Sequence, residues 1–168
     1  MALIPFSRWP SKNWPVPSFV QTGRDLQEHV NASIFLIGGA AEAAACEEMA
    51  KEFKGRVMNL AGKLSLPQLG GVLQAMNLVI ANDSGPMHMA ASLGTPVLAV
   101  FGPTDKKRTG PYGDLHRVTA GNLRCQPCFS KRCRFQDGFC LRTVTPEGVT
   151  TIALEMLNAA SVSRRTRG

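Results

Sequence analysis

Long apolar runs are missing from this 168-residue sequence: none approaches the roughly 20 residues that a membrane-spanning helix requires. The opening Met1-Ala2-Leu3-Ile4 lacks the basic start and long apolar core of a secretory signal, so a cytoplasmic location is expected. Acidic residues are few. Only 12 Asp and Glu face 19 Lys and Arg, and the formal net charge of +7 favours anionic partners. That charge alone does not separate nucleic acid, phospholipid surfaces and phosphorylated sugars, and a merely solvated basic surface is the alternative. There is no internal repeat beyond a strand-helix rhythm and no low-complexity linker, and the length suits one domain.

What is present, 44% hydrophobic and 18% charged residues, is ordinary for a soluble α/β protein. Residues 33–37 form a short apolar run closed by Gly38-Gly39, and 40–53 supply helix-forming Ala, Glu, Met and Lys. The pattern returns as strand 57–60 with helix 65–76, strand 78–81 with helix 86–93, and strand 97–101. Continuous apolar strands separated by helices predict a parallel sheet covered on both faces, a Rossmann-like doubly wound α/β layer sandwich. A first strand is expected over 2–5 and a helix over 16–31. The last helix is expected over 146–159, capped by Thr145 with Pro146 in its first position. The domain is read as 1–160, followed by a flexible basic tail at 161–168 carrying Arg164, Arg165 and Arg167. Between 102 and 145 regular structure is sparse, apart from a strand near 116–119, and such long loops are often functional.

Asn82-Asp83-Ser84-Gly85-Pro86-Met87-His88 falls where an apolar strand gives way to a helix, the edge at which open parallel sheets bind ligands. Asp83 or Ser84 can cap that helix, Gly85 lets a ligand approach the backbone, and Pro86 suits the first turn. The free N–H groups and the positive end of the helix dipole would seat a phosphate, with His88 one turn in as a further donor. A plain capping motif, with His88 bonded to a neighbouring loop, is the competing reading.

Cys125, Cys128, Cys133 and Cys140 have two, four and six residues between successive members, within a Cys-rich loop at 122–142. Four such thiolates could enclose a structural zinc. The spacings lack the paired knuckles of a zinc ribbon, so free packed thiols, or disulfides formed on purification, stay open beside it. Cys46 reads as a small buried hydrophobe. The same loop interleaves Arg124, Lys131, Arg132, Arg134 and Arg142 with Phe129 and Phe135, which suits either single-stranded nucleic acid or phosphorylated sugars near a membrane surface.

The run from Asn82 to Ala91, then Leu93-Gly94-Thr95-Pro96-Val97 and Phe101-Gly102-Pro103-Thr104, resembles the most characteristic stretch of the heptosyltransferase family, glycosyltransferase family 9. Arg8-Trp9-Pro10-Ser11-Lys12-Asn13-Trp14-Pro15 is similar to the family's basic and aromatic loop after the first strand of its C-terminal domain, with Phe6 where the family places a glycine. The cysteine segment, continued by Val144-Thr145-Pro146-Glu147-Gly148-Val149, resembles the heptosyltransferase II branch more closely than the first inner-core enzymes. The likeness covers roughly residues 3–158.

The resemblance implies the C-terminal half of a GT-B glycosyltransferase, which binds ADP-heptose for inverting transfer to a lipopolysaccharide inner-core acceptor with ADP as leaving group. It assigns Lys12, Asp83 and His88 to catalysis. Ser7, Lys12, Glu42, Leu64, Asp83, Ser84, Gly85 and His88 would bind the nucleotide sugar, Glu42 holding the ribose diol and Leu64 packing on adenine. A first-turn Glu favoured by the helix dipole and an ordinary core leucine are the competing accounts of those last two. A Mg2+ could accompany the diphosphate. An acceptor-binding N-terminal domain carrying the catalytic base is expected outside this sequence, so the chain alone should be inactive; its start so close to the Lys12 loop points the same way. Peripheral association with the cytoplasmic face of the inner membrane is expected, and nucleic acid is not. The rival readings are a UDP-sugar epimerase or transferase of the same fold and a zinc-dependent nucleic-acid-binding module.

Overall fold

The computed structural model describes residues 1–135 and 138–165. Positions 136 and 137 of the expected loop, and 166–168 of the expected tail, lie outside the described residues. Six strands form one parallel sheet: β1 (Ala2–Ile4), β2 (Ile34–Leu36), β3 (Val57–Asn59), β4 (Val79–Asn82), β5 (Val97–Phe101) and β6 (Arg117–Ala120), in the order β3-β2-β1-β4-β5-β6. Between them run α1 (Val16–Val30), α2 (Ala43–Lys51), α3 (Leu66–Gln74), α4 (Gly85–Ser92) and the short α5 (Lys106–Thr109), and α6 (Pro146–Arg165) follows β6.

The apolar strands take their place from helices on both faces. Every residue of β4 and β5 is buried, and burial of each large side chain contributes roughly 1.5–3 kcal/mol. Successive side chains of a strand point to opposite faces, and β1 divides accordingly. Leu3 joins Trp14, Phe19, Cys46 and Val149 on the side of α1, α2 and α6. Ala2 and Ile4 join Leu73, Met87 and Ala90 on the side of α3 and α4. The register pairs Leu3 with Leu36 on one side and with Ile80 on the other, so β1 is central.

Helix ends follow local chemistry. Asn31 adopts the left-handed conformation, φ 50°, and closes α1 with its N–H on Leu26 O. Thr145 Oγ1 accepts the Gly148 N–H at 3.2 Å, the cap expected for α6. α6 continues to Arg165 rather than ending at 159, so helical backbone covers the first part of the segment expected as tail. Among the described residues no helix is long and apolar enough to cross a membrane.

Candidate functional site

In this strand order the chain passes from β1 outward to β2 and β3, then returns to place β4 on the other flank of β1. The loops after β1 and β4 therefore diverge and leave a crevice at the carboxyl ends of the strands. A cavity of about 700 Å3 fills it. All eight residues named from the sequence line that cavity: Ser7 and Lys12 from the loop after β1, Glu42 before α2, Leu64 before α3, and Asp83, Ser84, Gly85 and His88 at the entry to α4.

The centre of the site is an ion pair. Lys12 Nζ lies 2.7 Å from Asp83 Oδ2, and the two side chains are 15% and 5% exposed. Thr104 Oγ1, just past β5, donates to the same oxygen at 2.6 Å. Asp83 is thus occupied in holding a cation over the crevice. Lys12 Nζ also stands 4.5 Å from the centre of the Trp9 ring, which fixes the ammonium from below without neutralising it. Ser7 Oγ donates to Asp83 O at 3.3 Å, linking the two loops again.

The α4 entry differs from the expected cap in one respect. Ser84 is the capping residue by position, in extended backbone, but no side chain accepts the helix's first amide hydrogens. Neither Asp83 nor Ser84 caps, because Asp83 faces Lys12 and Thr104 while Ser84 Oγ is buried without any hydrogen-bond partner. A side chain added at Gly85 would meet nothing within 4 Å, so the helix end is open to the cavity. An uncapped helix N-terminus, an orphaned hydroxyl and a lysine are thus brought together on one cavity, groups of the kind that attract an anion.

His88 Nε2 is 3.8 Å from Asp83 Oδ1 with its side chain 48% exposed, so it borders the seat and keeps a free ring face toward solvent. Glu42 Oε2 accepts the Gly39 N–H at 2.6 Å, the reciprocal half of a capping box that shapes the Gly38-Gly39 turn. It does so while lining the cavity. Leu64 packs against the core on the α3 side and presents its remaining surface to the same cavity.

Cys125, Cys128, Cys133 and Cys140 surround a separate apolar hollow of about 20 Å3. None of the five cysteines is in a disulfide. Among the described residues no group of three or more His, Cys, Asp or Glu side chains is placed to hold a metal ion, so the zinc alternative finds no such centre. Burial, first, and the neighbouring thiols raise the Cys140 thiol above its ordinary value. Burial, with Glu42 adding to it, pushes the Cys46 thiol up to about 11.

A model of glycosyltransferase family 9 (heptosyltransferase) matches residues 1–138. The chain belongs to glycosyltransferase family 9. Among relatives, the lipooligosaccharide heptosyltransferase 2 of Campylobacter jejuni is 30% identical over 151 residues, which is 88% of this chain and 47% of that protein. The solved ADP-heptose heptosyltransferase II of E. coli superposes with a TM-score of 0.75 at 27% identity, covering 98% of this chain and 46% of that one. The E. coli heptosyltransferase WaaC with ADP gives 0.75 at 25% identity, covering 92% and 43%. The chain therefore spans less than half the length of the relatives it matches, and it corresponds to a C-terminal portion of them.

In this family 9 chain several structural partners escaped the sequence reading. Thr104 sat inside a quoted motif, but its bond to Asp83 depends on β5 lying beside β4. Asn82, fully buried, accepts the Trp14 N–H at 3.0 Å and donates to Pro5 O at 2.7 Å, tying the Lys12 loop to β4 at both ends. Asn13 Oδ1 accepts the Ser7 N–H at 2.7 Å inside that loop. A buried polar residue at the end of an apolar strand was the available signal for Asn82; nothing local marked Asn13.

Proposed function

We propose that this chain is the nucleotide-sugar-binding half of a heptosyltransferase, which seats the diphosphate of ADP-heptose in the crevice between β1 and β4. One observation carries the reading: a single cavity joins the Lys12 ammonium to the uncapped N-terminus of α4 and to a buried Ser84 hydroxyl with no partner. The ammonium and the helix amides are donors, the hydroxyl can donate as well, and a diphosphate supplies acceptors for them. Asp83, a carboxylate, repels a diphosphate; its part is to position Lys12. His88 reaches the same oxygens from the exposed side. In this reading the adenosine end lies toward Glu42 and Leu64, which line the same cavity.

In the proposed inverting transfer the negative charge on ADP grows as the sugar leaves, and Lys12 with the helix end stabilises that charge at the moment it develops. No step here runs through the Mg2+ that could accompany the diphosphate. The base that deprotonates the acceptor hydroxyl, and most of the acceptor site on the lipopolysaccharide core, belong to a further domain. Donor binding is then a property of this chain, while turnover at the cytoplasmic membrane face is a property of the two-domain protein.

Calorimetric titration of the chain tests this. ADP and ADP-heptose bind, UDP binds more weakly, and Lys12→Gln weakens ADP about tenfold or more, the scale of one charge-assisted contact. Absence of heat with ADP at millimolar concentration removes the donor-site reading, and preference for UDP moves it to another nucleotide sugar.

A further inference from the structure

We propose that Arg108 and Lys131 form a second anion-recognising subsite at the mouth of the donor cavity, which receives a phosphate- or carboxylate-bearing acceptor sugar. The inference rests on the donor-site reading and extends it to the acceptor. Lys12 is paired with Asp83 at 2.7 Å and serves the donor site. Among the described residues, by contrast, Arg108 and Lys131 pair with no carboxylate. Each is held on an aromatic face instead: the Arg108 guanidinium lies 5.4 Å from the Phe129 ring centre and Lys131 Nζ lies 5.8 Å from that of Trp9. An aromatic face orients a cation and leaves its charge available.

Position makes these two charges relevant. Trp9 lines the donor cavity, and so does Thr109, the neighbour of Arg108. The loop that carries Phe129 and Lys131 is fastened to the site rather than hanging beside it. Phe129 N–H donates to Pro103 O at 2.8 Å, Ser11 Oγ donates to Ser130 O at 2.6 Å, and Ser11 N–H donates to Lys131 O at 3.4 Å. Ser11 immediately precedes Lys12, and Pro103 opens the segment that leads to Arg108, so the rim cations and the donor-site cation are borne by three segments tied to one another. The segment 122–135 contains no acidic residue. Asp105, the nearest acid in sequence to Arg108, spends Oδ1 on capping α5 through the Lys107 N–H at 2.9 Å. Two cations with no carboxylate partner among the described residues, outside the diphosphate seat, select an acidic saccharide over a neutral one, and the flanking rings offer it stacking surface.

Nuclear magnetic resonance titration of the whole chain tests the proposal, with mannose 6-phosphate and mannose as probes, each with and without saturating ADP. Mannose 6-phosphate is expected to shift the backbone amides of residues 129–131 and the Arg108 Nε–H in both conditions, and mannose is not. The Arg108→Gln, Lys131→Gln double variant weakens that binding about fivefold or more and changes the ADP affinity by less. Both sites are exposed, and charge reversal by Lys131→Glu gives an independent loss. The proposal is overturned if mannose 6-phosphate is displaced by ADP, or if the variants bind it like the parent chain. It is overturned equally if the same resonances respond only to phosphatidylglycerol vesicles, which assigns the rim to a bilayer. Because the ADP titration is read in the same samples, failure of the donor reading shows there and not at the rim.

Discussion

The strongest local constraint in the molecule is a charge buried with its partner. Asp83 is nearly inaccessible, and Lys12 and Thr104 share one of its oxygens. Removing one member of such a pair strands the other, which typically costs about 3–5 kcal/mol, whereas removing both charges costs far less. Lys12→Met is therefore expected to destabilise the chain by about 3 kcal/mol, and adding Asp83→Asn to recover much of that loss. Urea unfolding of both single variants and the double variant measures it; additive effects would mean that the pair carries no coupling and that Lys12 is not held as described. This cycle also separates folding from binding in the Lys12 variants. Cysteine chemistry is set at the same scale. With its thiol pushed up to about 11 by burial, Cys46 is almost wholly protonated at pH 8, while Cys128 is exposed. Iodoacetamide at pH 8 should label Cys128 within minutes and Cys46 only after unfolding, and mass mapping of the labelled peptides distinguishes the two.

Between elements, the decisive contact joins the end of β6 to the turn at Phe139–Thr143. A methyl group at Gly121 would stand 2.1 Å from Cys140 O, a backbone atom that cannot swing aside. Gly121→Ala should cost about 1–3 kcal/mol and lower the thermal midpoint, with the ADP site left intact because the cavity does not include this turn; a midpoint within a degree of the parent would show that the loop yields. The same region marks the boundary of what the sequence revealed. Strands β4 and β5 were legible because burial on both faces writes itself as unbroken apolar runs, and α6 because Thr145 and Pro146 announce its start. The eight residues named through the resemblance line one cavity. Thr104 was not, since its role depends on β5 pairing with β4, a long-range fact. Ser84 was misread because capping is the default for a serine before a helix, and only the surroundings show its hydroxyl left unpaired. The four loop cysteines had a pattern compatible with metal, yet spacing says nothing about whether thiols point to a common centre.

For the molecule as a whole, one clasp connects the first loop, the sheet and the last helix. Asn82, at the end of β4, holds the Trp14 N–H and the Pro5 carbonyl. Trp14, fully buried and edge-on to Phe19 at 5.0 Å, sends its indole N–H to Val144 O at 2.9 Å, just ahead of α6. Residues some 130 positions apart in the chain are thereby fixed to one another beside the Lys12 loop. Asn82→Ala would leave a buried amide hydrogen and a buried carbonyl without partners, each worth about 1–3 kcal/mol, so a total loss of about 2–4 kcal/mol is expected. Because the clasp sets where the Lys12 loop leaves β1, ADP affinity should fall in the same variant even under conditions where it is fully folded. Urea titration followed by tryptophan fluorescence, paired with calorimetry at low temperature, reads both. A variant that loses stability but binds ADP like the parent chain would show that Lys12 is placed by its own loop and by Asp83, with no help from the clasp.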